Sequence, residues 1–207
     1  MKIKNYLRIL APWIAYAAVS SVASWGVAML AGAIVAILIA AGPIRRRNAD
    51  LLSIGTIGFF LVMAGVAFMA PHSPLKHFTL ALPLATLGAL AAGSLVVRRP
   101  FTMTIARQMT SPTEWSKPLF YRTNAVITAV WAASLLSTAA ACALVLAVLP
   151  PATPVWIGLF EITGFLIPAF FTRIYSARIR ARAVAASGMG SAASAHSPRP
   201  TASRWGR

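Results

Sequence analysis

The chain has 207 residues, 58% of them hydrophobic and only 11% charged, with a formal net charge of +16 from 19 Lys and Arg against 3 Asp and Glu. A soluble domain carries about 25% charged residues, and a chain this small has too much surface to stay wet without them. The composition therefore argues against an ordinary soluble enzyme and makes a lipid bilayer the natural solvent.

In chain order, the first apolar run covers residues 9–41. As one helix it would be about 50 Å long, far more than a bilayer core of about 30 Å. The segment SSVASWG, Ser20 to Gly26, supplies small polar residues, a glycine and an interfacial tryptophan for a turn. Two spans are expected, a short one at 9–24 and a second at 25–44. Four more follow at 51–70, 78–97, 124–149 and 155–175, separated by Pro71 and Pro74, Pro100, and Pro150, Pro151 and Pro154. The fold class expected is all-α, a polytopic membrane bundle over residues 1–180, with a disordered basic tail at 187–207. Pro83 and Pro168 fall inside spans and predict kinks.

Charge decides the count. With six spans and a cytoplasmic N-terminus, every Lys and Arg except Lys76 lies inside. Five spans would move Lys2, Lys4 and Arg8 outside, against the positive-inside rule. The rival is a cleavable signal peptide ending at "VAS" before Trp25. Basic residues placed between spans and at chain ends imply contact with anionic headgroups of the bilayer, and no nucleic-acid partner is expected.

Helices in lipid associate through small residues. Candidate stripes are Ala28 and Gly32; Gly55 and Gly58; Ala85, Ala89 and Gly93; and Ala125, Ala129, Ala133, Ser137 and Ala141. Cys142 is the lone cysteine, so no intrachain disulfide is possible.

The longest polar interruption is RRPFTMTIARQMTSPTEWSKPLF, Arg98 to Phe120. Proline suits a first helical turn, and Phe101, Ile105 and Met109 then share one face of a helix lying in the headgroup plane and ended by Ser111 and Pro112. Trp115, Phe120 and Tyr121, interleaved with Lys117 and Arg122, read as an interfacial anchor. Arg98, Arg99, Pro100, Phe101, Arg107, Trp115, Lys117 and Arg122 are the candidate interaction loop.

Catalytic chemistry has little material. Asp50 and Glu114 flank spans on one side, whereas Glu161 enters from the other, so no carboxylate pair forms. His72 and His77 are off the spacing of paired helical ligands. No catalytic residue, metal site or cofactor is expected. Glu161 is the single ionisable residue well inside a span, about 9 Å deep, and is the candidate intramembrane polar site.

The order of these features resembles the bacterial intracellular septation protein A family over roughly residues 1–180. The resemblance rests on Arg45–Arg47 closing the second span, on Arg98, Arg99 and Pro100 closing the fourth, and on Trp115 in the loop. It continues with Asn124 and Trp131 in the fifth span, Pro150 at its end and Trp156 leading into the sixth. It implies a multi-pass protein of the inner membrane, linked with cell division and envelope integrity. Such a protein would act without enzymatic chemistry, through membrane-protein partners in envelope synthesis or division. The alternative is a small transporter using Glu161, and a membrane enzyme ranks third.

Overall fold

The computed structural model describes residues 4–46, 51–148 and 154–195, and of residues 4–10, 154–161, 183 and 186–195 the backbone alone. The described elements are all helical: α1 Lys4–Ser20, α2 Trp25–Arg45, α3 Leu51–Met69, α4 Ala81–Val96, α5 Thr102–Arg107, α6 Pro118–Val148 and α7 Pro154–Ala195. Short 3-10 turns at Pro74–Phe78 and Pro112–Glu114 lie in the connections. Among the described residues three helices, α2, α3 and α6, are long and apolar enough to cross a membrane, and α4 is a shorter apolar helix.

The turn expected near Ser20–Gly26 is present. Helix α1 stops at Ser20 and α2 starts at Trp25. The hydroxyls of Ser20 and Ser21 donate to the carbonyls of Ala17 and Ala18, at 2.8 and 2.7 Å, and so occupy two acceptors left open at the helix end.

Neighbours in sequence pack as antiparallel neighbours in space. Helix α2 joins α1 and α3, α3 touches α4, and α6 lies between α4 and α7. Close approaches show the register: Gly26 faces Phe68 and Gly32 faces Phe60 across α2 and α3, Gly55 faces Leu90 across α3 and α4, and Gly88 faces Leu136 across α4 and α6. A Cβ at Gly32 would run into the Phe60 ring, and one at Gly88 would stand 3.1 Å from the Leu136 backbone nitrogen. Only a missing side chain allows helices this close.

Two cores result. The first, in α1–α3, gathers Tyr16, Ala28, Met29, Ala33, Ala36, Phe60, Met63 and Ala64. The fully buried Phe60 ring lies 4.8 Å from Trp13, 5.2 Å from Phe59 and 6.0 Å from Tyr16, within the range of favourable aromatic pairing. The second, in α4, α6 and α7, gathers Ala81, Leu84, Leu135, Ala139 and Cys142, with Trp131 and Phe165 packed on it.

Several expectations need correction. Helix α6 begins at Pro118, not near 124, because proline opens the helix and the loop's aromatic segment continues it. The stripe Ala129, Ala133, Ser137 is exposed, and the buried face of α6 carries Asn124, Thr128, Leu135, Thr138 and Cys142 instead. Helix α6 has apolar residues on every side, so small-residue spacing alone does not mark its packed side. Gly58 has open space around it, whereas Gly55 makes the close approach. Pro83 occupies the first turn of α4, where a missing N–H breaks no helical bond, so it is no mid-helix kink. Helix α7 runs to Ala195, into the stretch expected to be disordered, because extending a formed helix needs no new nucleus. Residues 196–207 of that tail lie outside the described residues.

Candidate functional site at the basic end of the bundle

The antiparallel order brings the C-terminus of α2, the C-terminus of α4 and the N-terminus of α6 to one end. Arg45, Arg46, Arg98, Arg99, Arg107, Lys117 and Arg122 are all exposed there, while Lys76 lies at the opposite end. Arg178, Arg180 and Arg182 follow on α7 beyond Thr172, whose hydroxyl accepts from Trp131 Nε1 at 3.1 Å.

The loop is built on α4's last turn. Val97 N–H donates to Gly93, Arg98 N–H to Leu95 at 2.9 Å, and Arg99 N–H to Ser94 at 2.8 Å. The last two bonds are the paired closure of a helix that ends in a left-handed residue. That residue is Arg98, with φ 53°, the one non-glycine positive φ in the described chain. Pro100 is buried and stops any continuation. Ser94, almost wholly buried, donates to Ala91 at 2.6 Å and accepts from Phe101 N–H at 3.1 Å, which aims the chain into α5.

Helix α5 does not lie free on an apolar face, as expected from Phe101, Ile105 and Met109. Its buried residue is Thr102, and it packs on α6. Thr102 Oγ1 lies 3.0 Å from the Asn124 carbonyl and 2.8 Å from Thr128 Oγ1. A carbonyl can only accept, so the Thr102 proton goes to Asn124 and Thr128 donates to Thr102. Asn124 Nδ2 in turn donates to the Phe120 carbonyl at 2.8 Å. Thr102, Asn124 and Thr128 thus form a satisfied buried polar staple that seats the loop on the bundle.

The loop's outer half folds on itself. Arg107 sits over the Trp115 ring, 5.5 Å from its centroid. Trp115 Nε1 donates to Thr110 Oγ1 at 3.2 Å, and Thr110 donates to the Ala106 carbonyl at 2.9 Å. Lys117 pairs with Glu114 at 2.5 Å. Of the candidate loop residues, Pro100 and Phe101 are locked through Ser94, Arg107 and Trp115 meet, and Lys117 is neutralised. Arg98, Arg99 and Arg122 point to solvent with no acidic partner among the described residues. Ser94, Thr102 and Thr128 were not legible as site residues. The one available signal was Asn124 and Thr128 four apart on an otherwise apolar helix.

Glu161 belongs to α7, but its side chain lies outside the described residues. One turn later Gly164 packs on α6, where an added Cβ would stand 2.5 Å from Thr138 Oγ1. Pro168 lacks the N–H that would bond the Gly164 carbonyl. Ser134 Oγ on α6 donates to that carbonyl at 2.9 Å, so a neighbouring helix satisfies the group that the proline frees.

At the far end, His77 Nε2 lies 2.7 Å from the Leu146 carbonyl. The carbonyl is an acceptor, so Nε2 carries the proton. Leu146 is in the last turn of α6, whose carbonyls lack helical donors, and His77 supplies one. His72 lies exposed in the same connection.

No family model, no curated protein and no solved structure matches this chain.

Proposed function

We propose that the chain is a non-enzymatic, six-span protein of the bacterial inner membrane with both termini in the cytoplasm. It serves septation or envelope maintenance by binding other membrane proteins through its basic end. The observation that carries the reading is the segregation of charge by the antiparallel bundle: exposed Arg and Lys at one end, Lys76 at the other. The positive-inside rule makes the first end cytoplasmic.

The bundle also has the right thickness. The Thr102–Asn124 and His77–Leu146 bonds mark its two ends. From Asn124 to Leu146 is about 33 Å at the helical rise, close to the hydrocarbon core of a bilayer. Helices α1, α4 and α7 complete the six spans beside α2, α3 and α6. Septation and envelope maintenance, and the partners they imply, rest on the resemblance of residues 1–180.

The loop is ordered by its own bonds and presents Arg122 and the Arg107–Trp115 pair on a fixed base, as a docking surface requires. Photocrosslinkers at the exposed Thr104 and Met109 test this in living cells. Capture of a division or envelope-synthesis membrane protein is expected. Loss of the protein should also disturb division or envelope integrity, and a normal deletion strain with no such crosslink contradicts the reading.

A second reading, a small transporter using Glu161, is favoured by one observation. Position 161 lies one turn before Gly164, whose carbonyl is freed by Pro168 within a continuous helix and accepts from a serine of α6. Freed backbone carbonyls beside polar groups recur at transport sites. Flux into liposomes that is abolished by Glu161→Gln would put this reading first.

A further inference from the structure

We propose that Arg98 and Arg99 form a binding site for the phosphate of an anionic phospholipid headgroup. The proposal rests on the reading above that this end of the bundle lies at a membrane surface. It goes beyond that reading in assigning one headgroup site to two residues.

The first observation is conformational. Arg98 holds a left-handed backbone, φ 53°, at a helix end where glycine would serve without strain. A non-glycine residue is uncommon in that conformation, and its presence points to the side chain. The second is position. Val96 and Val97, 82% and 55% exposed, immediately precede the arginine pair. Exposed valines suit acyl chains, and the arginines one step further suit the phosphate layer. The third is charge. Neither guanidinium has an acidic partner among the described residues, and Glu114 is taken by Lys117. Arg122 stands two residues from Asn124, which Thr102 ties to the same end, so it adds to the field with no acidic partner among the described residues. The fourth is rigidity. The pair follows a helix closed by the Arg98–Leu95 and Arg99–Ser94 bonds and precedes a buried proline, so little backbone ordering is lost on binding. Planar guanidinium groups match phosphate oxygens in bidentate fashion.

Arginine near a helix C-terminus also compensates the helix dipole. The two roles separate by readout: melting without lipid reports the backbone and the dipole, and lipid preference reports the headgroup site. Arg98→Gly relieves the backbone and removes the charge.

The experiment uses the full chain, purified in a neutral detergent. Binding of phosphatidylglycerol and of phosphatidylcholine is measured by native mass spectrometry and by the shift of the melting temperature. Wild type, Arg98→Gly, Arg99→Gln and, as a control, Arg182→Gln are compared. Wild type should prefer phosphatidylglycerol. Arg98→Gly and Arg99→Gln should each lower that preference about fivefold, the weight of one arginine near an anionic surface. Arg182→Gln, further along α7, should keep it within about twofold at physiological salt. Without lipid, Arg98→Gly should melt at or above the wild-type temperature.

An unchanged lipid preference in both Arg98→Gly and Arg99→Gln overturns the site, as does an equal loss in Arg182→Gln. An equal shift from inorganic phosphate overturns the lipid as its occupant. A wild type that prefers neither lipid, with an Arg98-dependent interaction with an acidic protein instead, does the same. Reconstitution into phosphatidylcholine vesicles separates the levels. A chain that does not enter bilayers sinks the membrane reading, whereas one that enters and shows no Arg98-dependent preference sinks only the site.

Discussion

The two halves of the bundle are held by different means. Helices α1–α3 pack an aromatic cluster, Trp13, Tyr16, Phe59 and Phe60, against the bare backbone of Gly32 and the small residues of α2. Helices α4–α7 are laced by hydroxyls: Ser94 to Phe101, Thr102 to Asn124 and Thr128, Ser134 to Gly164, and Trp131 to Thr172. Lipid supplies no hydrophobic pull between helices, so shape and polar bonds are the available sources of cohesion. The first half draws mainly on shape. The second adds polar bonds where a proline frees a carbonyl or loops must be seated, and the candidate loop hangs from that half.

The sharpest break of this contrast is Phe60→Ala, which empties the centre of the first core. It should cost about 3 kcal/mol in thermal unfolding in detergent and leave hydrogen exchange of the loop after α4 little changed. Gly32→Val should cost about 2 kcal/mol, because the new side chain meets the Phe60 ring. Combining it with Phe60→Ala should recover part of that loss, and strict additivity would mean the two positions do not share a contact.

In the second half, Ser134→Ala leaves the Gly164 carbonyl without a donor and should cost about 1.5 kcal/mol. In a Pro168→Ala background the backbone N–H at 168 returns, and the same serine change should become nearly silent. An equal cost in both backgrounds would show that the serine does not answer the proline. Thr102→Val is the smallest of the set, about 1 kcal/mol. Its main readout is local: amide exchange over residues 98–110 should accelerate while α1–α3 keep their protection.

Hydropathy made the helices legible, and with them the turn before Trp25 and the gathering of basic residues. Apolar length and charge between runs are direct consequences of a bilayer solvent. Which side of each helix packs was less visible. In α6 nearly every residue suits lipid, so the spacing of Ala129, Ala133 and Ser137 pointed outward and the packed face had to be found from Asn124, Thr128 and Thr138. The loop's basic and aromatic residues were readable as a group, but the bonds that fix them were not. Thr102 and Ser94 carry hydroxyls that hydropathy barely registers, and their partners lie on other turns or helices. The left-handed Arg98 was hidden for a different reason. Glycine is the residue that announces such a helix end, and only Pro100 marked it here.

The central claim is that the end carrying Arg98 to Arg122 faces the cytoplasm and the end carrying His72 to His77 faces outward. Cys142 is the lone cysteine and is buried, so a Cys142→Ser background gives a blank for labelling. Single cysteines are then placed by His72→Cys and Thr110→Cys, both at exposed positions. A membrane-impermeant maleimide is applied to spheroplasts before and after permeabilisation. The account predicts labelling at 72 in intact spheroplasts and at 110 only once the membrane is opened. The reverse pattern, or labelling of both positions from the same side, would contradict it.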